Sequence, residues 1–227
     1  MVHGIKYQAV IKKCSECGCL IDDRRISTSG LVIGLWTDGK TNRSGLNMSG
    51  GNYACERYFV KCPSCLKTMW FDELITISIA SHINGTYDEV KRSRPFSVPK
   101  IIDYCAELSK WGLTDENEYM LRTALWWAGN DKRRGMRRKK PLLNEEIDNL
   151  RILVEMLGSS VADSWSKKAE IKRELGLFEE AYELLSKPFD NAKKNKYRMF
   201  MKKLVMKKDS TVRAYPDEIM TVRHRFI

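Results

Sequence analysis

Four of the seven cysteines in this 227-residue chain stand as two Cys-x-x-Cys pairs, Cys14-Ser15-Glu16-Cys17 and Cys62-Pro63-Ser64-Cys65. No other feature restricts the fold as much. A Cys-x-x-Cys turn brings two sulfurs to one point, and two such turns complete a tetrahedron around a metal ion. The odd cysteine count, and a start (Met1-Val2-His3-Gly4-Ile5-Lys6) without the apolar core of a secretory signal, argue against an exported disulfide framework and for a cytoplasmic setting. The expected cofactor is therefore a structural Zn2+ held by Cys14, Cys17, Cys62 and Cys65, with Cys19 or Cys55 able to take one of the four places.

Catalysis finds little support. A catalytic zinc needs an open coordination position, usually with histidine among its ligands, and the chain holds only His3, His82 and His224. The zinc-deaminase pattern fails because Lys61, not proline, precedes Cys62 and no His-x-Glu lies upstream. Phosphate-binding glycine loops, a Gly-x-Ser-x-Gly elbow and His-Glu-x-x-His are all missing. The adjacent acids Asp22-Asp23 and Asp72-Glu73 diverge on any helix or strand and make no shared acid/base pair.

The expected fold class is α+β. Residues 1–80 carry strand-like runs at 7–11 and 58–61, before each cysteine pair, and at 69–71 and 75–79 after the second. Gly18 follows Cys17 where the tight turn favours a residue tolerant of positive φ. Together these residues resemble the zinc-ribbon fold, which implies the same four cysteines as ligands. Forty-four residues between Cys17 and Cys62 exceed the usual ribbon, so an insertion at about 21–52, with a tight turn at Thr37-Asp38-Gly39-Lys40, is expected. Residues 81–113 are expected to be a linker followed by a first helix, residues 114–208 a helical domain of antiparallel hairpins, and residues 209–227 a tail. Within the helical part, Thr114 and Asn144 are expected caps, and Gly129, Gly158 and Gly176 expected ends.

The net charge is +11, but residues 132–140 (KRRGMRRKK) hold seven cations and residues 193–208 hold eight, with no acid in either segment. Without these fifteen the chain stands at −4. Basicity so concentrated fits a discrete anionic partner, and Arg133, Arg134, Arg137, Arg138, Lys139 and Lys140 are candidate phosphate contacts on RNA or DNA. No apolar run approaches the roughly 18 residues of a membrane helix, so no membrane is expected.

Trp165, Ala169, Gly176, Phe178, Ala181 and Leu185 match the large, small, glycine, aromatic, small and large positions of one tetratricopeptide repeat, which this stretch resembles. Lys168, Lys172 and Pro188 depart from the repeat's preferences. With the tryptophan-rich Leu125-Trp126-Trp127-Ala128-Gly129 and the Cys62-Pro63-Ser64-Cys65 knuckle, the chain is similar to uncharacterised bacterial proteins that join a CPxC ribbon, a Trp-rich helix and a repeat-like hairpin. That resemblance carries no activity. The expectation is a zinc-binding interaction or adaptor module with a protein partner, and nucleic-acid binding is the alternative.

Overall fold

A computed structural model describes residues 7–26, 32–43, 59–81, 92–134, 140–158, 164–186 and 192–216. The chain is mixed α+β, with a small sheet region and six α-helices among the described residues, and divides into two units. The first holds Met1–Leu31 and Ser44–Glu107, and the second Val32–Arg43 and Leu108–Ile227. None of the described helices is long and apolar enough to cross a membrane.

In the first unit, β1 (Tyr7–Lys13) and β2 (Leu20–Ile26) pair antiparallel from Tyr7↔Ile26 to Lys13↔Leu20, so the first cysteine turn closes a hairpin. Strands β5 (Phe59–Lys61) and β6 (Thr68–Trp70) form a second hairpin, closed in the same way by Cys62 to Cys65. Between them in sequence lie β3 (Val32–Leu35) and β4 (Thr41–Arg43), an antiparallel ribbon belonging to the second unit. Strand β7 (Ile75–Ser81) flanks β1, and the two-residue β8 (Arg94–Pro95) runs parallel to β2, giving the order β7-β1-β2-β8.

Ile21, Val60, Phe71 and Leu74 bury with Cys14 and Cys62 in one small core. Lys12 is buried too, because its ammonium donates to the carbonyls of Asp72 and Leu74, both at 3.2 Å, where a 3-10 turn at Phe71–Glu73 ends. Strand β7 obeys the alternation expected of it, yet its isoleucines point outward: Ile75, Ile77 and Ile79 are 72%, 42% and 59% exposed.

Two expected boundaries fall elsewhere. Helix α1 (Ile101–Leu108) belongs with the sheet, not with a linker, because Lys61 Nζ donates to Asp103 at 2.9 Å and Trp70 Nε1 to Glu107 at 3.3 Å. Residues 92–100 are stitched on as well, by β8 and by reciprocal 2.9 Å backbone bonds between Lys61 and Ser97. The expected insertion at 21–52 likewise begins too early, since Leu20–Ile26 is an inner strand of the sheet.

In the second unit, α2 (Asp115–Asp131) starts at Thr114, whose Oγ1 accepts from the Asn117 N–H at 3.2 Å. It runs through Gly129 instead of ending there. Gly129 is needed for close approach: a Cβ at that position would lie 1.8 Å from Glu146 Oε1. Helix α3 (Asn144–Met156) is capped in reverse, with Glu146 accepting from the Leu143 N–H at 2.8 Å, so Asn144 is not the cap. Helices α4 (Ser164–Glu174) and α5 (Phe178–Leu184) pack through Ala169 and Ala181, both fully buried, across Gly176 at φ +82°. Helix α6 (Ala192–Met206) closes the set. Residues 209–216, expected as tail, are built in: Thr37 N–H donates to the Arg213 carbonyl and Tyr215 N–H to that of Leu35, each at 2.8 Å. Residues 217–227 lie outside the described residues.

Candidate metal centre

The two cysteine turns share one hydrogen-bond pattern. In the first, Gly18 N–H donates to the Cys14 carbonyl (3.0 Å) and Cys14 N–H to that of Cys19 (2.9 Å); in the second, Leu66 donates to Cys62 (3.1 Å) and Cys62 to Lys67 (2.8 Å). Each turn therefore aims both its sulfurs to one side. The ligand atoms of Cys14, Cys17, Cys62 and Cys65 all lie within 4.8 Å of one another, with Cys14 and Cys65 Sγ 3.8 Å apart and Cys17 and Cys62 Sγ 3.6 Å apart.

Four sulfurs each at about 2.3 Å from a single tetrahedral ion stand about 3.8 Å from each other. The Cys14–Cys65 and Cys17–Cys62 separations match that spacing, and none of the four is in a disulfide. Four cysteines so placed could hold a metal ion. Cys19 is not one of that group: its Sγ donates to the Leu20 carbonyl at 3.6 Å, although it also lies within hydrogen-bonding reach of the Cys62 thiol, and Cys55 lies outside the described residues.

Electrostatics in the cluster is lopsided. A backbone N–H from Cys19 lowers the Cys17 thiol to about 7. Cys65 receives a backbone N–H from Lys67, but desolvation and the thiols of Cys62, Cys17 and Cys14 outweigh it and push Cys65 up to about 12. Burial raises Cys62. Four thiolates this close repel one another, and a bound cation removes the conflict.

The candidate phosphate contacts fare differently. Arg133 is buried and donates both terminal nitrogens to Glu146, at 3.0 and 2.8 Å. Arg134 pairs with Asp38 and, at 2.8 Å, with Asp131. Both guanidiniums are thus committed within the second unit. Lys140 is exposed, and Arg137, Arg138 and Lys139 lie outside the described residues.

No family model, no curated protein and no solved structure matches this chain. What the molecule does must be argued from its own residues.

A buried polar cluster in the second unit escaped sequence reasoning. Asp38, fully buried in the β3–β4 turn, accepts from Asn130 Nδ2 at 2.9 Å and from Arg134, while its carbonyl accepts from Trp127 Nε1 at 3.1 Å. Glu174 accepts from Trp126 Nε1 (3.0 Å) and Asn130 Nδ2 (3.1 Å). Burial, then the Glu170 and Asp38 carboxylates, push Glu174 well above the ordinary carboxylate range. Arg173, without solvent exposure, pairs with Glu170 and donates to the Asp209 and Thr211 carbonyls. Every group here has a partner within the chain, so the cluster holds the ribbon and the 209–216 segment to the helices. The signal present in the sequence was an aspartate in a turn, which local reasoning assigns to the turn alone.

Proposed function

We propose that this chain is a non-catalytic interaction module braced by one structural Zn2+. Cys14, Cys17, Cys62 and Cys65 would hold the ion as four thiolates, a closed set that leaves no position for substrate. Its binding contributes on the order of 10 kcal/mol to a sheet too small to bury enough apolar surface alone. The first unit is then ribbon-like, and the α4–α5 hairpin, with Ala169 against Ala181, is the repeat-like element of the bacterial proteins the sequence resembles.

The observation that carries the interaction reading is the row Ile75, Ile77 and Ile79, exposed on β7. This strand ends the order β7-β1-β2-β8, so it offers both an apolar face and an unpaired backbone edge among the described strands. Exposed apolar edge strands aggregate unless something covers them, which points to a protein partner. A photo-crosslinking residue at position 77 tests this in cells. One discrete adduct, lost when Ile75→Asp and Ile79→Asp are introduced, is the expected result, and absence of any adduct contradicts it.

Nucleic-acid binding is the second reading, favoured by exposed Lys196, Lys203, Lys207 and Lys208 on α6 and just beyond it. If those four met phosphates, log affinity would fall with log salt at a slope of about −3 to −4.

A further inference from the structure

Helices α3 and α6, both in the second unit, carry opposite charge on the sides that face solvent. On α3 the exposed positions Glu145, Asp148, Ile152 and Glu155 recur at intervals of three, four and three, which aligns them in one stripe along the helix. On α6 the exposed positions Lys196, Met199, Lys203 and Met206 recur at the same intervals, and Lys207 extends the stripe, its N–H still bonded to the Lys203 carbonyl at 3.2 Å. Each stripe runs for about 15 Å.

Neither stripe is neutralised from within the chain. Glu145 and Glu155 on α3, and Lys196, Lys203 and Lys207 on α6, have no ion pair among the described residues. Asp148 lies 3.6 Å from Arg151, the cation beside this stripe, with both side chains about 70% open to water, so that pair binds its charge weakly. Each stripe also holds apolar surface: Ile152 is 38% and Met199 47% exposed.

Register selects the occupant. Laid antiparallel, the two stripes set Asp148 opposite Lys203, Ile152 opposite Met199, Glu155 opposite Lys196, and Glu145 opposite Met206 with Lys207 next to it. Set parallel over the same length, they put Asp148 against Met199 and Ile152 against Lys203. The antiparallel arrangement also brings the N-terminal end of α3 beside the C-terminal end of α6, where the helix dipoles attract. Phosphates would match the lysines but leave Met199 without an apolar neighbour.

We infer that α6 of one copy of this chain docks antiparallel on α3 of a second copy, with Asp148–Lys203 and Glu155–Lys196 flanking an Ile152–Met199 contact. The two faces differ, so the contact is heterologous and either closes on itself or extends through further copies. One apolar contact between solvent-exposed ion pairs is less than a permanent interface needs, so the association is weak and strengthens as salt falls. It uses neither the cysteine cluster nor β7, so its failure leaves the interaction reading intact.

The test is sedimentation equilibrium of the full chain from about 10 µM to about 1 mM, in about 50 mM and about 500 mM salt. At low salt the average mass should rise above 26.3 kDa with concentration, and high salt should return it toward that value. Lys203→Glu and Asp148→Lys, both on exposed side chains, should each weaken association by about tenfold, and an equimolar mixture of the two should restore it to within about threefold. Restoration requires that both variants are folded and that positions 148 and 203 meet across copies. A monomer mass under all conditions overturns the inference, as does a mixture no more associated than either variant alone. Association lost in Ile75→Asp but indifferent to both charge reversals also overturns it and assigns the contact to β7. A short oligouridylate bound through Lys203 by a chain that stays monomeric overturns it in favour of phosphates.

Discussion

Gly18 and Leu66 hold the same place in the two cysteine turns. Each follows the second cysteine of its pair, donates its N–H to the carbonyl of the first, and sits at positive φ, +73° and +62°. A glycine there is unstrained; a leucine is not. Leu66 is also 61% exposed, so its side chain returns little burial. Leu66→Gly should therefore raise stability by about 1 kcal/mol, and Gly18→Leu should lower it by a similar amount. Chemical denaturation of the metal-loaded chain measures both.

Asp38 is the hinge on which the β3–β4 ribbon stays attached. Removing its carboxylate in Asp38→Ala leaves Arg134 and Asn130 without their shared acceptor, a loss of about 3–5 kcal/mol for a buried ion pair broken on one side. Hydrogen exchange at Trp36, Gly39 and Lys40 should accelerate more than that of α5. Equal protection in the variant and the parent would show the ribbon to be held by something else.

Gly129→Ala places a methyl on the Glu146 carboxylate and forces apart α2 and α3, with the Arg133–Glu146 pair between them. The expected cost is about 1–3 kcal/mol, read as a lowered denaturation midpoint.

Asp103 supplies a pH dependence. Its burial raises the carboxyl pKa, but the Lys100 N–H and the Lys61 ammonium outweigh burial and hold it below the ordinary value of 3.8. A carboxyl depressed in the folded state stabilises above its unfolded pKa and loses that contribution as pH falls through the folded one. Asp103→Asn should cost about 1 kcal/mol at neutral pH, and the gap from the parent should close below about pH 4. Comparing the two proteins at each pH separates this from protonation of the cysteines, which both share.

The cysteine pairs were legible in the sequence because a knuckle is local: four residues set the turn, and the strands on either side follow from apolar runs such as Phe59-Val60. The Thr114 cap and the Gly176 turn were legible for the same reason, whereas Asn144 is not the cap that its side chain suggested. Residues whose roles depend on distant partners were not legible. Asp38 meets Asn130 and Arg134 more than ninety positions away, so it read as a turn residue, and Arg134 read as a phosphate contact. Gly129 read as a helix end because its demand for space comes from Glu146 on another helix. Leu66 gave no warning of positive φ, since only the second turn's likeness to the first reveals it.

The most direct measurement is native mass spectrometry of the full chain purified without added metal, paired with melting in the presence of a strong chelator. One zinc per chain, lost in Cys14→Ser/Cys62→Ser, and a first unit that unfolds on chelation are the predicted results. A metal-free mass, with melting unchanged by chelator and by those substitutions, would contradict the claim that Cys14, Cys17, Cys62 and Cys65 grip one ion.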